Sequence, residues 1–163
     1  MSILVALGIS IGVLAGILCI ICDLLAKTGV AAIMIAAWPG FVAWACYFAV
    51  GGKKEGLAKT MAANTAGVIM GVVIVLLMGI FSFMGNTIAL AVAVVIGAFI
   101  MCVEANWPPL SFIPGAFCGC ASCFGFGVGT NISGMIACLL SLWVGALFAY
   151  ASDIWGNAMA KPK

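Results

Sequence analysis

The sequence predicts an all-α polytopic membrane protein: six transmembrane helices as two inverted three-helix repeats, the second and fifth helices interrupted at Pro-Gly. Three observations carry this expectation. First, 67% of the 163 residues are apolar and 6% are charged, against about 25% charged in a soluble domain. Second, the few charges punctuate long apolar stretches. Third, two of those stretches contain a proline-glycine pair in similar surroundings.

The charges fall at Asp23 and Lys27, at Lys53, Lys54, Glu55 and Lys59, at Glu104, at Asp153, and at Lys161 and Lys163. Between them lie six apolar stretches: Ile3 to Cys22, Val30 to Val50, Leu57 to Phe83, Ile88 to Val103, Leu110 to Phe126, and Ile132 to Tyr150. A crossing takes about 20 residues, so six consume ~120. No extramembrane domain fits, and residues 1–163 are expected to form one transmembrane domain. The first stretch lacks a preceding basic region and a following cleavage pattern, so it is expected to be a retained helix. None of the stretches alternates polar with apolar residues as a barrel strand does, and a backbone in hydrocarbon must pair its own polar groups, so helices are expected.

Orientation follows from the lysines, because cytoplasmic loops collect positive charge. With six crossings and the N-terminus inside, Lys53, Lys54, Lys59, Lys161 and Lys163 lie in the cytoplasm and only Lys27 lies outside. A four-crossing alternative, with re-entrant second and fifth stretches, divides these lysines between the two faces.

The repeat is read from matching segments. Ala37-Trp38-Pro39-Gly40-Phe41 answers Phe112-Ile113-Pro114-Gly115-Ala116-Phe117. Cys22-Asp23 answers Cys102-Val103-Glu104, and Asn64-Thr65-Ala66-Gly67 answers Asn131-Ile132-Ser133-Gly134. The halves, about 1–84 and 86–156, match at offsets of 81, 75 and 67 residues. Three crossings per half is an odd number, so the halves face opposite ways. Proline lacks an N–H and clashes with the preceding turn, so each Pro-Gly is expected to break its helix within the membrane. Paired breaks are the best sequence pointer to a solute site in transporters.

Candidate solute-path residues are Trp38, Pro39, Gly40, Trp44, Tyr47, Asn64, Pro114, Gly115, Phe117 and Asn131. The aromatics line a constriction or simply fill space beside glycines. The two asparagines hydrogen-bond a solute, or act as a helix cap or an interhelical clamp. Asp23 and Glu104 sit at the mouths of the path, or only terminate spans. The chain has no His and no Arg; nothing here can neutralise a run of phosphates, so nucleic-acid binding is not expected, nor is enzymatic catalysis. No ionisable residue falls well inside a stretch, which points to passive conduction of a small uncharged or weakly ionised solute rather than proton-coupled pumping. Cys118, Cys120 and Cys123 are soft-metal donors, yet they lack the paired spacing of a zinc site; neither a metal nor another cofactor is expected. Gly8, Gly12 and Gly16 line one face of the first helix and, with Gly67 and Gly71, permit close helix approach. The expected partners are the lipid bilayer, the solute and further copies of the chain in a homo-oligomer.

Two patterns carry a family resemblance: Trp38-x-Gly40-Phe41 with Tyr47-Phe48-Ala49-x-Gly51-Gly52, and Leu110-Ser111-Phe112-Ile113-Pro114-Gly115-x-Phe117-x-Gly119. In these the chain resembles the bacterial family numbered 1097 among the domains of unknown function. The resemblance implies a small multi-span protein of the bacterial inner membrane without an assigned substrate. Channel or facilitator is the reading the residues favour. Ion-coupled secondary transport and a non-transporting scaffold subunit remain the alternatives, with soft-metal transport through the Cys118, Cys120 and Cys123 thiols less favoured.

Overall fold

The computed structural model describes residues 1–29 and 35–160. The opening of the second apolar stretch, and Lys161 and Lys163, lie outside the described residues. Six α-helices follow in order: α1 (Ile3–Lys27), α2 (Ala37–Ala49), α3 (Lys53–Ile80), α4 (Asn86–Val103), α5 (Ile113–Gly125) and α6 (Ile132–Met159). Among the described residues there is no strand.

Four of the helices are long and apolar enough to cross a bilayer: α1, α3, α4 with its following turn, and α6. Helices α2 and α5 are shorter. Each has 13 residues, about 20 Å at ~1.5 Å per residue, against a hydrocarbon thickness of ~30 Å. Proline supplies the physical reason. Pro39 is the third residue of α2 and Pro114 the second of α5, positions in the first turn where the missing N–H costs nothing. In α5 the Pro-Gly pair therefore starts the helix and does not interrupt it, since turns and irregular backbone occupy Glu104 to Phe112.

Both short helices start well along a long one. Gly115 packs against Ala63, ten residues into α3 and about 15 Å from its start. The Ala36 N–H donates to Ser141 Oγ at 2.9 Å, and Gly40 packs on Gly145, at a comparable distance into α6. From there α2 runs beside α6 in the same direction, reaching Asp153 at Tyr47. In the same way α5 follows α3, meeting Gly67 at Ala116 and Gly71 at Cys123. Helix α1 runs against α6, where Ser10 Oγ donates to the Ser152 carbonyl at 2.8 Å and Gly156 meets Leu7.

Packing is most extensive between α3 and α5 and between α2 and α6, then between α1 and α6 and between α3 and α4. Exchanging α1 with α4, α2 with α5 and α3 with α6 leaves this pattern unchanged. Each short helix therefore rests on the long helix of the other half.

Burial repeats between the halves in a register the motifs do not give. The buried residues of α2, Pro39, Gly40, Ala43, Trp44, Cys46 and Tyr47, are answered 76 positions later by Gly115, Ala116, Gly119, Cys120, Ser122 and Cys123, also buried. Thr60, Asn64, Gly67 and Gly71 of α3 are answered 78 positions later by Cys138, Leu142, Gly145 and Ala149. The two prolines are consequently not equivalent. One residue of slip turns a helix by ~100°, so Pro39 is buried against α6 while Pro114 is exposed. The expected pairing of Asn64 with Asn131 also fails: Asn64 lies in the middle of α3, and Asn131 precedes α6 as its cap.

Close approach depends on small residues. A Cβ at Gly67 would collide with the Ala116 carbonyl, and one at Gly145 with the backbone of Gly40. Gly12 faces open space. Gly67→Ala and Gly145→Ala should each lower stability by about 2 kcal/mol or more, measured by reversible unfolding in bicelles, whereas Gly12→Ala should stay within about 0.5 kcal/mol. Equal effects at the three positions would contradict the packing described.

Candidate functional site

Thr60, Asn64 and Val68 occupy successive turns of α3 and so share one face. Val68 joins a buried cluster with Ala43 of α2, Cys123 of α5, and Cys138, Leu142 and Ala146 of α6. The Asn64 backbone passes against Gly119. Asn64 and Thr60 therefore sit where the two short helices meet the two long ones they rest on, and both are 0% exposed.

Elsewhere in the interior, the buried serines and Tyr47 are paired. Ser122 Oγ donates to the Cys118 carbonyl and Ser141 Oγ to the Ala137 carbonyl. Ser152 Oγ donates to the Ala149 carbonyl, and Tyr47 OH to Asp153 Oδ2 at 2.7 Å. At the crossing the pairing stops. Thr60 Oγ1 and both amide atoms of Asn64 find no partner among the described residues; the other unpaired groups lie elsewhere, the Trp44 indole Nε1 in a separate cluster with Leu18, Cys22, Tyr47 and Ala149, and one Glu104 carboxylate oxygen. Each such group forfeits about 1–3 kcal/mol of hydrogen bonding in a protein interior, and Thr60 and Asn64 hold three such atoms one helical turn apart. An amide and a hydroxyl can between them donate to and accept from a neutral guest. They offer no charge.

The other expected path residues are dispersed. Pro39 is buried, Gly40 is buried against Gly145, Ser141 and Leu18, and Gly115 lies against Ala63 and Phe112. Trp44 packs between Phe41 and Phe148, with ring centres 6.4 and 6.3 Å away. Trp38 and Phe117 face outward, Trp38 lying over Gly125 and near Phe126; neither lines an interior constriction. Asn131 caps α6, its Oδ1 accepting from Ser133 N at 3.0 Å and from Ser133 Oγ at 2.7 Å.

Asp23 is exposed and pairs with Lys27 at the end of α1. Glu104 lies at the opposite end of the bundle, where Pro108 and Pro109 approach Glu55 and Lys59 at the start of α3. One of its carboxylate oxygens is buried without a partner. All eight cysteines are free thiols, and among the described residues no three His, Cys, Asp or Glu side chains gather to hold a metal. Five surface clefts are lined by residues other than Pro39, Gly40, Asn64, Pro114 and Gly115.

Two residues escaped the sequence reading. Thr60 carried a usable signal, standing one helical turn from Asn64. Asp153 carried none, because Tyr47, its partner, is 106 positions away. Because the Asn64 amide has no protein partner to lose, Asn64→Leu should leave the thermal midpoint in detergent unchanged or raise it. Tyr47→Phe should cost about 1 kcal/mol. A marked loss of stability in Asn64→Leu would mean that the amide is a structural clamp.

The comparisons bear on location. A family model described as a protein of unknown function, DUF1097, matches residues 8–157. The chain is 33% identical to the "Inner membrane protein YcdZ" of Escherichia coli (strain K12), covering 95% of this chain and 88% of that protein. It is 32% identical to the protein of the same name in Salmonella typhimurium (strain LT2), covering 95% of this chain and 90% of the relative. No solved structure matches. With apolar helices long enough to cross a bilayer, relatives named as inner membrane proteins and a family match along most of its length, this membrane protein belongs to the DUF1097 family.

Proposed function

We propose that the chain is a facilitator for a small uncharged or weakly ionised solute, which passes between two oppositely directed three-helix halves. The observation that carries the reading is the unpaired Asn64 amide beside the unpaired Thr60 hydroxyl at the crossing of the short helices. In a low-dielectric interior a group of that kind has most to gain from a polar visitor. Further support comes from direction: α2 follows α6, α5 follows α3, and α1 opposes α6, as expected of an inverted repeat. Half-length helices at corresponding places in two such halves surround the substrate in many transporters.

In this reading the end of the bundle bearing Lys53, Lys54 and Lys59 faces the cytoplasm, together with both termini. A second copy covers the exposed outer sides of α2 and α5, where Trp38, Phe41, Phe117 and Phe124 stand out, together with the starts of these helices, which lack a side-chain cap. Irregular backbone at membrane depth needs such a cover. A non-transporting scaffold is the second reading, favoured by the absence of the Pro-Gly residues from the five surface clefts.

Liposomes carrying the purified chain, screened by stopped-flow swelling with small neutral solutes and weak acids, test the proposal. Protein-dependent flux is expected for at least one solute, falling about tenfold in Asn64→Leu and in Thr60→Val, the effect of one lost hydrogen bond. Dependence on a proton or sodium gradient would instead assign ion-coupled transport. No flux under any condition would favour the scaffold.

A further inference from the structure

The end of the bundle where α2 passes into α3 gathers the chain's densest charge. Lys53, Lys54, Glu55 and Lys59 fall within seven residues. The connecting backbone is left-handed at Gly51, Gly52 and Lys53, with φ of 104°, 67° and 59°. Lys53 is the non-glycine residue among the three, and Asp153 of α6 helps hold it there, accepting its N–H at 3.5 Å.

The same carboxylate accepts from Tyr47 OH at 2.7 Å and from Asn157 Nδ2 at 2.6 Å. Asp153 is thus engaged by neutral donors, and Lys53, Lys54 and Lys59 have no ion-pair partner among the described residues. Two adjoining clefts open beside them. One, of about 540 Å³, is lined by residues 50–56 and Lys59. The other, of about 320 Å³, is lined by Lys53, Lys54, Tyr150, Asp153, Ile154 and Asn157. Lys53 and Lys54 form the wall between the two.

We infer that this double cleft binds the phosphate of an anionic phospholipid, held by the ammonium groups of Lys53, Lys54 and Lys59. Three cations stand against Glu55 and an Asp153 already bonded to Tyr47 and Asn157, so the site is positive. Ammonium groups donate to phosphate oxygens without any fixed geometry, which suits long side chains on an exposed rim. The clefts lie where α3 begins and α6 ends, the level at which spans meet headgroups, and Val50, Tyr150 and Ile154 offer apolar surface for the start of an acyl chain. Those two features favour a lipid headgroup over a dissolved phosphate. The inference is independent of whether the chain conducts a solute.

The test uses the full chain in zwitterionic micelles, with native mass spectrometry reading retention of added phosphatidylglycerol or phosphatidylcholine. Phosphatidylglycerol should be retained and phosphatidylcholine lost. Lys54→Gln/Lys59→Gln should weaken phosphatidylglycerol retention about tenfold or more, while its thermal midpoint in phosphatidylcholine matches that of the unaltered chain. Equal retention of the two lipids, or unaltered retention by the double variant, would overturn the inference. Glycerol 3-phosphate binding as tightly as phosphatidylglycerol would overturn the lipid assignment in favour of a soluble phosphate. Should the double variant fold poorly, the unaltered chain in about 0.5 M salt gives the same readout by screening, and retention that survives there counts against the site.

Discussion

A peptide group in hydrocarbon has no water to bond, and each one left unpaired costs several kcal/mol. Everything distinctive about this fold answers that constraint. Helices α1, α3, α4 with its following turn, and α6 are long and apolar enough to satisfy it within themselves across a bilayer. Helices α2 and α5 cannot, because they begin part-way along α6 and α3 and expose the N–H groups of a first turn. Proline removes one donor from each of those turns. Ser141 accepts another from Ala36. The remaining polar ends need protein around them, and this explains why the short helices are clamped so tightly to the long ones.

The clamping is reciprocal. Helix α2 belongs to the first half of the chain and packs on α6 of the second, while α5 of the second packs on α3 of the first. Contacts with no side chain between them, at Gly67 and at Gly145, bring the backbones together. Two buried polar links, Ser10 to the Ser152 carbonyl and Tyr47 to Asp153, add direction to that packing. Neither half can shift without carrying a helix of the other. A rocking motion of one half against the other, the usual route to alternating exposure, would therefore have to slide α2 along α6 and α5 along α3 together, past the unpaired groups of Thr60 and Asn64.

Much of the architecture was legible because hydropathy reports bilayer burial directly. The sequence showed the long apolar helices and the family pattern around Tyr47 and Pro114. It missed the register. Pro-Gly matches Pro-Gly at 75 residues, but burial repeats at 76, since the faces of α2 and α5 are set by what they touch and not by where their prolines fall. For Asn131 the sequence left cap and ligand open, since an asparagine ahead of an apolar run is either, and the structure shows the cap. Trp38 and Phe117, read as lining a constriction or filling space beside glycines, face outward, since lipid accepts aromatic surface as well as protein does. Apolar residues all round each helix erase the contrast that marks an inner face in a soluble protein, so Thr60 went unnoticed among them.

The central claim is that two half-length helices begin inside the hydrocarbon slab and leave a polar pair, Asn64 and Thr60, at their crossing. A high-resolution cryo-electron microscopy map of the chain in a lipid nanodisc measures both parts at once. The account predicts helix starts at Ala37 and Ile113 below the headgroup level, with ordered solvent density within hydrogen-bond reach of the Asn64 amide. Uninterrupted helices spanning the slab at these positions, or an Asn64 amide bonded to another side chain in a dry interior, would contradict it.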